Sequence, residues 1–303
     1  MTAADRFRGC LLGLAVGDAL GTTVEFRRRG TFEPLTDVVG GGPFRLEAGE
    51  WTDDTSMALC LASSLLEQGG FDARDQMERY CRWRDDGYLA SNGRCFDIGS
   101  TVAAALARFR RTGDPLAGAE DPSSAGNGCI MRLAPVPMFY FPDEAAAVRY
   151  AAESSRTTHG AAECLDACRL LAGMICRALG ARPKEAVLLG AVDGFDGTAQ
   201  IVAIARGDYL RMGEADVRGT GYVVDSLRAA AWCFAHTDSY EAAVLRAANL
   251  GDDADTTAAV CGQLAGAFYG ERGIPERWLA KLAMRDEIAA LADGLRRSGT
   301  SAR

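Results

Sequence analysis

The sequence predicts an all-α fold arranged as one compact domain. Apolar residues recur at the helical period in segments of about 12 to 20 residues that are rich in Ala, Leu, Arg and Glu. Glycines and prolines separate these segments, as expected at helix ends. Runs of β-branched and aromatic residues with alternating polarity, which are typical of strands, are nearly absent. Since no repeat or linker interrupts the chain, we assign residues 1–303 to a single domain, with a core at about 6–290 and a disordered tail at about 298–303.

In chain order, the pattern predicts helices at 5–20, 53–68, 72–86, 98–112, 128–140, 143–157, 160–180, 183–193, 195–205, 222–236, 240–249, 254–269 and 284–297. Three long loops, at 21–51, 113–127 and 206–221, interrupt them, and the stretch 35–46 admits a short hairpin. Long irregular stretches inside a compact domain are more often functional than idle.

Two of these helices have a distinctive face. The first carries Gly13, Gly17 and Gly21 four residues apart, which permits close packing against another helix. Asp18 lies within that small-residue stretch and therefore needs a partner, because a buried unpaired charge is costly. In the helix 160–180, the three cysteines at 164, 168 and 176 share one face, and we interpret them as core residues.

Composition excludes several classes of protein. The chain carries 33 basic and 41 acidic residues, a net charge of −8, which disfavours a general nucleic-acid binder. With two histidines it cannot build a three-histidine zinc centre. No stretch reaches the 18 or so apolar residues that a membrane span requires. The ten cysteines contain no CxxC pair and are expected to act as small hydrophobes in a reducing, cytoplasmic environment.

Consecutive acids stand at two predicted helix starts. Thr52-Asp53-Asp54-Thr55 precedes the helix 53–68, and Asp252-Asp253-Ala254-Asp255-Thr256-Thr257 precedes the helix 254–269. Acids at such positions serve as caps and suit the helix dipole, so two independent caps are one interpretation. If the two helix ends meet, however, their carboxylates repel one another unless a cation intervenes. An oxygen-only ligand set favours Mg²⁺ or Mn²⁺ over zinc.

The remaining polar motifs are weaker when taken singly. Ser124-Ala125-Gly126-Asn127-Gly128 opens a predicted helix and suits either anion binding by backbone N–H groups or an ordinary turn. Asp97 stands before a helix, where an N-cap is the simplest role. His159 follows a helix end, where a dipole partner is the common role, and Tyr222 either lines a pocket or packs against the helix that it opens.

Seven motifs together resemble the ADP-ribosylglycohydrolase family, and are most similar to the bacterial branch that removes ADP-ribose from an arginine of dinitrogenase reductase. The match extends from about residue 6 to about 290, in the family's order and roughly its spacing. The motifs are G-L-A-V-G-D-A-L-G with V-E-F (13–26), W-T-D-D-T-S-M (51–57), F-D-I-G-S-T (96–101), A-G-N-G-x-x-M-R (125–132), T-H-G (158–160), G-Y-V-V-D-S (221–226) and G-D-D-A-D-T-T (251–257).

The resemblance implies a compact all-α fold with a dinuclear Mg²⁺ or Mn²⁺ centre at the base of a cleft. Glu25 matches a position that contacts the scissile ribose or its attacking water, and Asp97 matches an acid beside the ribose and guanidinium. His159 matches a residue on the diphosphate and adenosine side, and Tyr222 an aromatic near the adenine or the cleft mouth. The implied metal ligands are Thr52, Asp53, Asp54, Asp253, Asp255 and Thr256, and the implied diphosphate loop comprises Ser124, Gly126, Asn127 and Gly128.

The implied activity is metal-dependent hydrolysis of the N-glycosidic bond between ADP-ribose and an arginine of a modified protein. We expect the protein to act as a monomer. Within the family, serine-linked ADP-ribose or a small ADP-ribose derivative is the alternative substrate. A non-catalytic structural relative and a metal-dependent phosphoesterase are further alternatives, and the intact acids disfavour the structural relative. The sequence departs from the bacterial enzymes at Asp252, where Gly is usual, and in the regions 27–50 and 193–221 that border the cleft.

Overall fold

The computed structural model describes residues 1–191 and 194–301 and confirms the all-α class. In these residues the β structure is limited to four isolated bridges, one of them between Gly41 and Leu46 in the stretch where a hairpin was admitted. The helices are α1 (Ala3–Gly21), α2 (Asp53–Gln68), α3 (Ala73–Asp86), α4 (Ser100–Thr112), α5 (Pro135–Tyr140), α6 (Glu144–Arg156), α7 (Ala162–Leu179), α8 (Lys184–Leu189), α9 (Ala199–Ala205), α10 (Val223–Ala235), α11 (Tyr240–Ala248), α12 (Ala254–Tyr269), α13 (Glu276–Leu279) and α14 (Arg285–Ser301).

Helix α12 lies at the centre of the fold, and α1, α7, α10 and α11 pack around it. The α1–α12 pair is antiparallel and in backbone contact. A Cβ atom added to Gly13 would lie 2.5 Å from the carbonyl oxygen of Gly262, and one added to Gly17 would lie 2.3 Å from that of Ala258. The close packing predicted from the small-residue face of α1 is therefore confirmed. It brings the end of α1 to the start of α12.

Helix α2 packs against α1, α3, α5 and α14, and its N-terminus contacts the start of α12. The larger apolar core joins α1, α2, α5 and α14 to α7, α10 and α12, and a second, smaller cluster lies between α2, α3 and α4. All ten cysteines are free, and all except the half-buried Cys95 are buried, in keeping with their predicted role as small hydrophobes.

One predicted helix is wrong over most of its length. The sequence pattern favoured a helix at 128–140, whereas the structure has a 3₁₀ turn at Asn127–Cys129 and an α-helix that begins only at Pro135. Proline has no N–H to donate and its ring clashes with the preceding helical turn, so it is tolerated at the first helical position and not in the interior. The short helix α13 was not predicted.

Helices α14 and α8 end at other positions than predicted. Helix α14 continues to Ser301, past the predicted end at 297 and into the expected tail, whose residues 302 and 303 lie outside the described residues. The last two positions of the helix predicted at 183–193 also lie outside them, and α8 ends at Leu189. Within the described part of the chain, none of the helices combines the length and the apolar character that a bilayer span requires.

Candidate active site and metal centre

The N-termini of α2 and α12 meet, and their acids form one buried cluster. Thr52 Oγ1 lies 3.4 Å from Asp255 Oδ2, and Thr256 Oγ1 lies 3.4 Å from Asp54 Oδ2. These four residues are buried, as is Asp53. Two independent helix caps would not require such cross-contacts. The geometry therefore favours the interpretation in which both helix starts serve one site.

Asp18 holds the start of α2 in place. Its Oδ1 accepts hydrogen bonds from the N–H and the hydroxyl of Thr52, both at 2.9 Å. Its Oδ2 accepts from the N–H of Thr55 at 3.0 Å and from the Thr55 hydroxyl at 2.6 Å. Asp18 thus caps α2 from a neighbouring helix, and Thr52 and Thr55 are the partners that its buried charge required. Since Thr52 donates its hydroxyl proton to Asp18, the lone pairs of Thr52 Oγ1 remain for a cation.

The pKa values of most acids in the cluster are raised. Burial, reinforced by Asp97 and other nearby acids, raises the pKa of Glu25 to about 9. Burial and the charges of Asp18 and Asp253 raise the pKa of Asp97 to about 7. For the same reasons, burial first and mutual repulsion second, the pKa values of Asp53, Asp54 and Asp255 lie well above the usual range of an aspartate.

The donor set fits a hard cation. Glu25, Asp97 and Asp255 each offer a carboxylate oxygen, and these oxygens lie within 4.8 Å of one another. Buried oxygens of three acids, Glu25 Oε2, Asp54 Oδ1 and Asp255 Oδ1, have no hydrogen-bond partner. Buried carboxylates without partners and with repelling neighbours are costly, and a divalent ion removes both costs. Oxygen donors at this density are the ligands that Mg²⁺ and Mn²⁺ prefer.

A cavity of about 390 Å³ joins this cluster to the glycine-rich loop. The acids, the loop 126–128 and His159 line it together. Its lining includes Glu25, Phe26, Asp53, Asp97, Gly126, Asn127, Gly128, Met131, His159, Asp253, Asp255 and Thr256. Most of the side chains and loop residues selected from the sequence therefore lie around one cavity.

Asn127 links the glycine-rich loop directly to the acid cluster. Its side-chain amide donates to Asp253 Oδ2 at 2.8 Å, and its backbone N–H donates to the carbonyl of Gly221. The resemblance assigned Asn127 to the loop that holds the diphosphate. In the structure its side chain orients an acid of the cluster, and its backbone is part of that loop.

Two residues selected for substrate binding have side chains directed elsewhere. Ser124 Oγ donates to the carbonyl of Asp121 at 2.6 Å, and the residue lines a neighbouring groove that contains Arg108. The Tyr222 hydroxyl donates to Glu163 Oε2 at 2.7 Å and lies 3.1 Å from Gln200 Oε1. Neither residue belongs to the lining of the cavity that contains the acids.

The backbone conformation accounts for the positions of Asp97 and Asp252. Asp97 is not an N-cap, because Gly99 occupies that position in front of α4, and its φ of 58° is rare for a non-glycine residue. Asp252 is exposed, with a φ of 56°, so its charge points away from the cluster. Its N–H donates to the carbonyl of Arg27 and its carbonyl accepts from Phe26, which ties the segment around Glu25 to the start of α12.

Several residues around the cavity were not predicted from the sequence. The pattern indicated that Asp18 needs a partner but did not identify Thr52 and Thr55, and it indicated no role for Arg132. It also gave no role to Phe26, whose side chain is 67% exposed and lines the cavity beside Glu25. The motif containing Arg132 was visible, whereas its contacts depend on how the helices pack.

Comparisons with known proteins agree with this arrangement. The ADP-ribosylglycohydrolase family model matches residues 1–303. The chain is 46% identical over 293 residues to the ADP-ribosylarginine hydrolase Tri1 of Pseudomonas putida (strain GB-1), covering 97% of this chain and 78% of the relative. It is 42% identical over 291 residues to the protein of the same name from Serratia proteamaculans (strain 568), covering 96% and 79%.

The ADP-ribosyl-[dinitrogen reductase] glycohydrolase of Rhodospirillum rubrum is 32% identical over 287 residues, covering 93% of this chain and 92% of that enzyme. A solved structure, described as an ADP-ribosylglycohydrolase-related protein complex, superposes with a TM-score of 0.87 at 45% identity, covering 98% of this chain and 99% of that chain. The chain therefore belongs to the ADP-ribosylglycohydrolase family.

Proposed function

We propose that this protein hydrolyses the N-glycosidic bond between ADP-ribose and the guanidine group of an arginine in a modified protein. The observation that carries the proposal is the cavity itself, which joins a buried cluster of cation-seeking acids to a glycine-rich loop suited to a diphosphate. Two relatives at 46% and 42% identity are named ADP-ribosylarginine hydrolases, which supports arginine as the linkage.

The proposed cofactor is a pair of divalent ions, Mg²⁺ or Mn²⁺. The residues that would hold them are Thr52, Asp53, Asp54, Asp253, Asp255 and Thr256, in agreement with the cross-contacts between the two helix starts. When bound, such ions offset the buried negative charge, orient the ribose hydroxyls and make a neighbouring water more acidic.

Glu25 is positioned to act on the attacking water. It is buried and lines the cavity, and its Oε2 has no hydrogen-bond partner. As the C1″–N bond breaks, the ribose develops oxocarbenium character that nearby carboxylates stabilise. The water forms the new C1″–O bond and gives its proton to Glu25, whose pKa, raised in the metal-free cluster, would fall once a cation offsets the neighbouring acids. The guanidinium of the substrate departs as neutral guanidine and then recovers a proton, so that the products are ADP-ribose and arginine.

Asp97 is positioned for the guanidine. It lines the same cavity, and one of its oxygens lies within 4.8 Å of oxygens of Glu25 and Asp255. A carboxylate there can pair with a guanidinium through charge-assisted hydrogen bonds. It would orient the leaving group while the loop 126–128 holds the diphosphate.

The test is direct. The protein is incubated with arginine-linked and serine-linked ADP-ribosyl peptides in the presence of Mn²⁺, Mg²⁺ or a chelator, and the products are followed by mass. We expect free ADP-ribose from the arginine-linked peptide, with metal only. Release of AMP would indicate a phosphoesterase, a preference for the serine-linked peptide would change the substrate, and activity in chelator would contradict the metal centre.

We further propose that the protein acts as a monomer in a reducing, cytoplasmic compartment. The support for the reducing compartment is its complement of free cysteines, nearly all of them buried. Size-exclusion chromatography with light scattering tests the monomer, and fractionation of the source cells tests the compartment.

A further inference from the structure

Arg132 is a buried cation without a carboxylate partner among the described residues. Its side chain, at 1% exposure, donates from Nη1 to the carbonyl of Gly128 at 2.9 Å and from Nη2 to Thr158 Oγ1 at 2.6 Å. The guanidinium lies 4.8 Å from the centre of the Tyr80 ring, and its Nε has no hydrogen-bond partner. Arg132 does not itself line the cavity, but it donates to the carbonyl of Gly128, which does. Burying an unpaired charge is costly, so a cation directly behind that loop favours an anion in the cavity.

Thr158 transmits the orientation of Arg132 to His159. Arg132 has only donors, so Thr158 Oγ1 accepts from it, and His159 Nδ1, at 2.8 Å, is the one acceptor that the described contacts offer to the Thr158 hydroxyl proton. A ring nitrogen that accepts a hydrogen bond carries no proton, so this arrangement places the proton of a neutral imidazole on Nε2. Burial lowers the pKa of His159 to about 4, which keeps the ring neutral near pH 7.

The Nε2 atom of His159 faces the glycine-rich loop. A Cβ atom added to Gly128 would lie 3.2 Å from Nε2, and one added to Gly126 would lie 3.4 Å from it. Both glycines and His159 line the cavity. The absence of side chains at these two positions leaves the N–H of the ring accessible to a ligand held by the loop.

We infer that Arg132 and Thr158 hold His159 in the neutral tautomer that presents Nε2–H to the diphosphate of ADP-ribose. Arg132 supplies the buried positive charge that this anion offsets. Arg132 and Thr158 act as positioning residues, and His159 contacts the ligand. The inference rests on the proposed function, because it takes ADP-ribose as the ligand, but its first test is independent of any activity.

That test is the tautomer of His159, read from long-range ¹H–¹⁵N correlation spectra. The chain has only two histidines, and the variant His236→Gln assigns the signals without touching the cavity. We expect wild-type His159 to be protonated at Nε2 at pH 7. Thr158→Val should abolish the preference, since it removes the hydroxyl but keeps the shape, and Thr158→Ser should restore it. A wild-type ring protonated at Nδ1 would overturn the inference.

The second test is the affinity for ADP-ribose, measured by calorimetry. We expect Thr158→Val and Arg132→Gln to bind ADP-ribose about 10-fold more weakly, the usual effect of losing one oriented hydrogen bond to a charged group. Thr158→Ser and His236→Gln should bind like wild type, and Mn²⁺ affinity should be unchanged in the Thr158 variants. Should Arg132→Gln fail to fold, Thr158→Val still decides the question.

The two hypotheses fail in different ways. A wild-type protein that does not bind ADP-ribose counts against the proposed function, whereas the tautomer of His159 is measured without a ligand. If Thr158→Val loses the tautomer preference and still binds ADP-ribose like wild type, His159 Nε2–H does not contact the diphosphate and the inference is wrong.

Discussion

Replacing Asp18 by asparagine changes the support beneath one side of the acid cluster while keeping its shape. Asp18 Oδ1 accepts two hydrogen bonds from Thr52, and Oδ2 accepts two from Thr55. Asparagine has one carbonyl oxygen and one NH₂ group. Whichever way the amide turns, its NH₂ faces a backbone N–H and a hydroxyl that previously donated to a carboxylate. The hydroxyl can rotate to accept, but the N–H is left unpaired.

The size of the effect follows from these contacts. One buried N–H without a partner costs about 1–3 kcal/mol, and the loss of charge assistance in the remaining bonds adds about 1 kcal/mol. We therefore expect a loss of about 2–4 kcal/mol, equivalent to about a 30- to 1,000-fold weaker Mn²⁺ affinity if all of it appears in metal binding. Removing the Asp18 charge also relieves repulsion with Asp54 and Glu25, so the metal-free protein should lose less stability than the metal-loaded protein.

The assay combines Mn²⁺ calorimetry with urea unfolding in Mn²⁺ and in chelator. Asp5→Asn is the matched control, because Asp5 is also buried on α1 but accepts its hydrogen bond from the backbone of Arg272 at the opposite end of the helix. The control should keep wild-type Mn²⁺ affinity. If Asp18→Asn binds Mn²⁺ within three-fold of wild type and unfolds at the same urea concentration, Asp18 does not support the metal centre.

Three further outcomes are expected. Asp97→Asn should lower turnover of the arginine-linked substrate by about 100-fold or more and retain Mn²⁺ binding, and wild-type rates would remove Asp97 from the mechanism. Phe26→Leu should raise KM for that substrate about three- to ten-fold, with Phe26→Tyr close to wild type, since an aromatic face attracts guanidinium; equal KM values for the two variants would contradict this role. In chelator, the free energy of unfolding should fall as pH rises from about 4 to 9. The folded-state pKa values of Glu25, about 9, and Asp97, about 7, lie above their unfolded-state values. The stability that these two groups contribute is therefore complete below the unfolded-state pKa and is lost as the pH rises through the folded-state pKa. Mn²⁺ should weaken that trend, and urea unfolding curves that do not change with pH in chelator would refute it.

The sequence predicted most helices because their signals are short-range. Apolar periodicity and capping residues act within a few turns, and Asp53 and Ala254 begin helices close to where these signals placed them. The prediction was wrong at 128–140, because the apolar spacing indicated a continuous helix whereas the α-helix begins only at Pro135. Gly13 and Gly17 correctly indicated a close helix contact, although spacing alone did not identify α12 as the partner.

By itself, then, the sequence determined the all-α class, the acids at two helix starts and the family motifs, because each is local in the chain. Only the tertiary structure decided which groups meet. Asp18 contacts Thr52 across 34 positions, Asn127 contacts Asp253 across 126, and Arg132 contacts Thr158 across 26. Such contacts depend on how whole helices pack. Burial at that packing raises the pKa values of the acids and lowers that of His159, and the contacts of Thr158 with Arg132 and His159 set the tautomer proposed for His159.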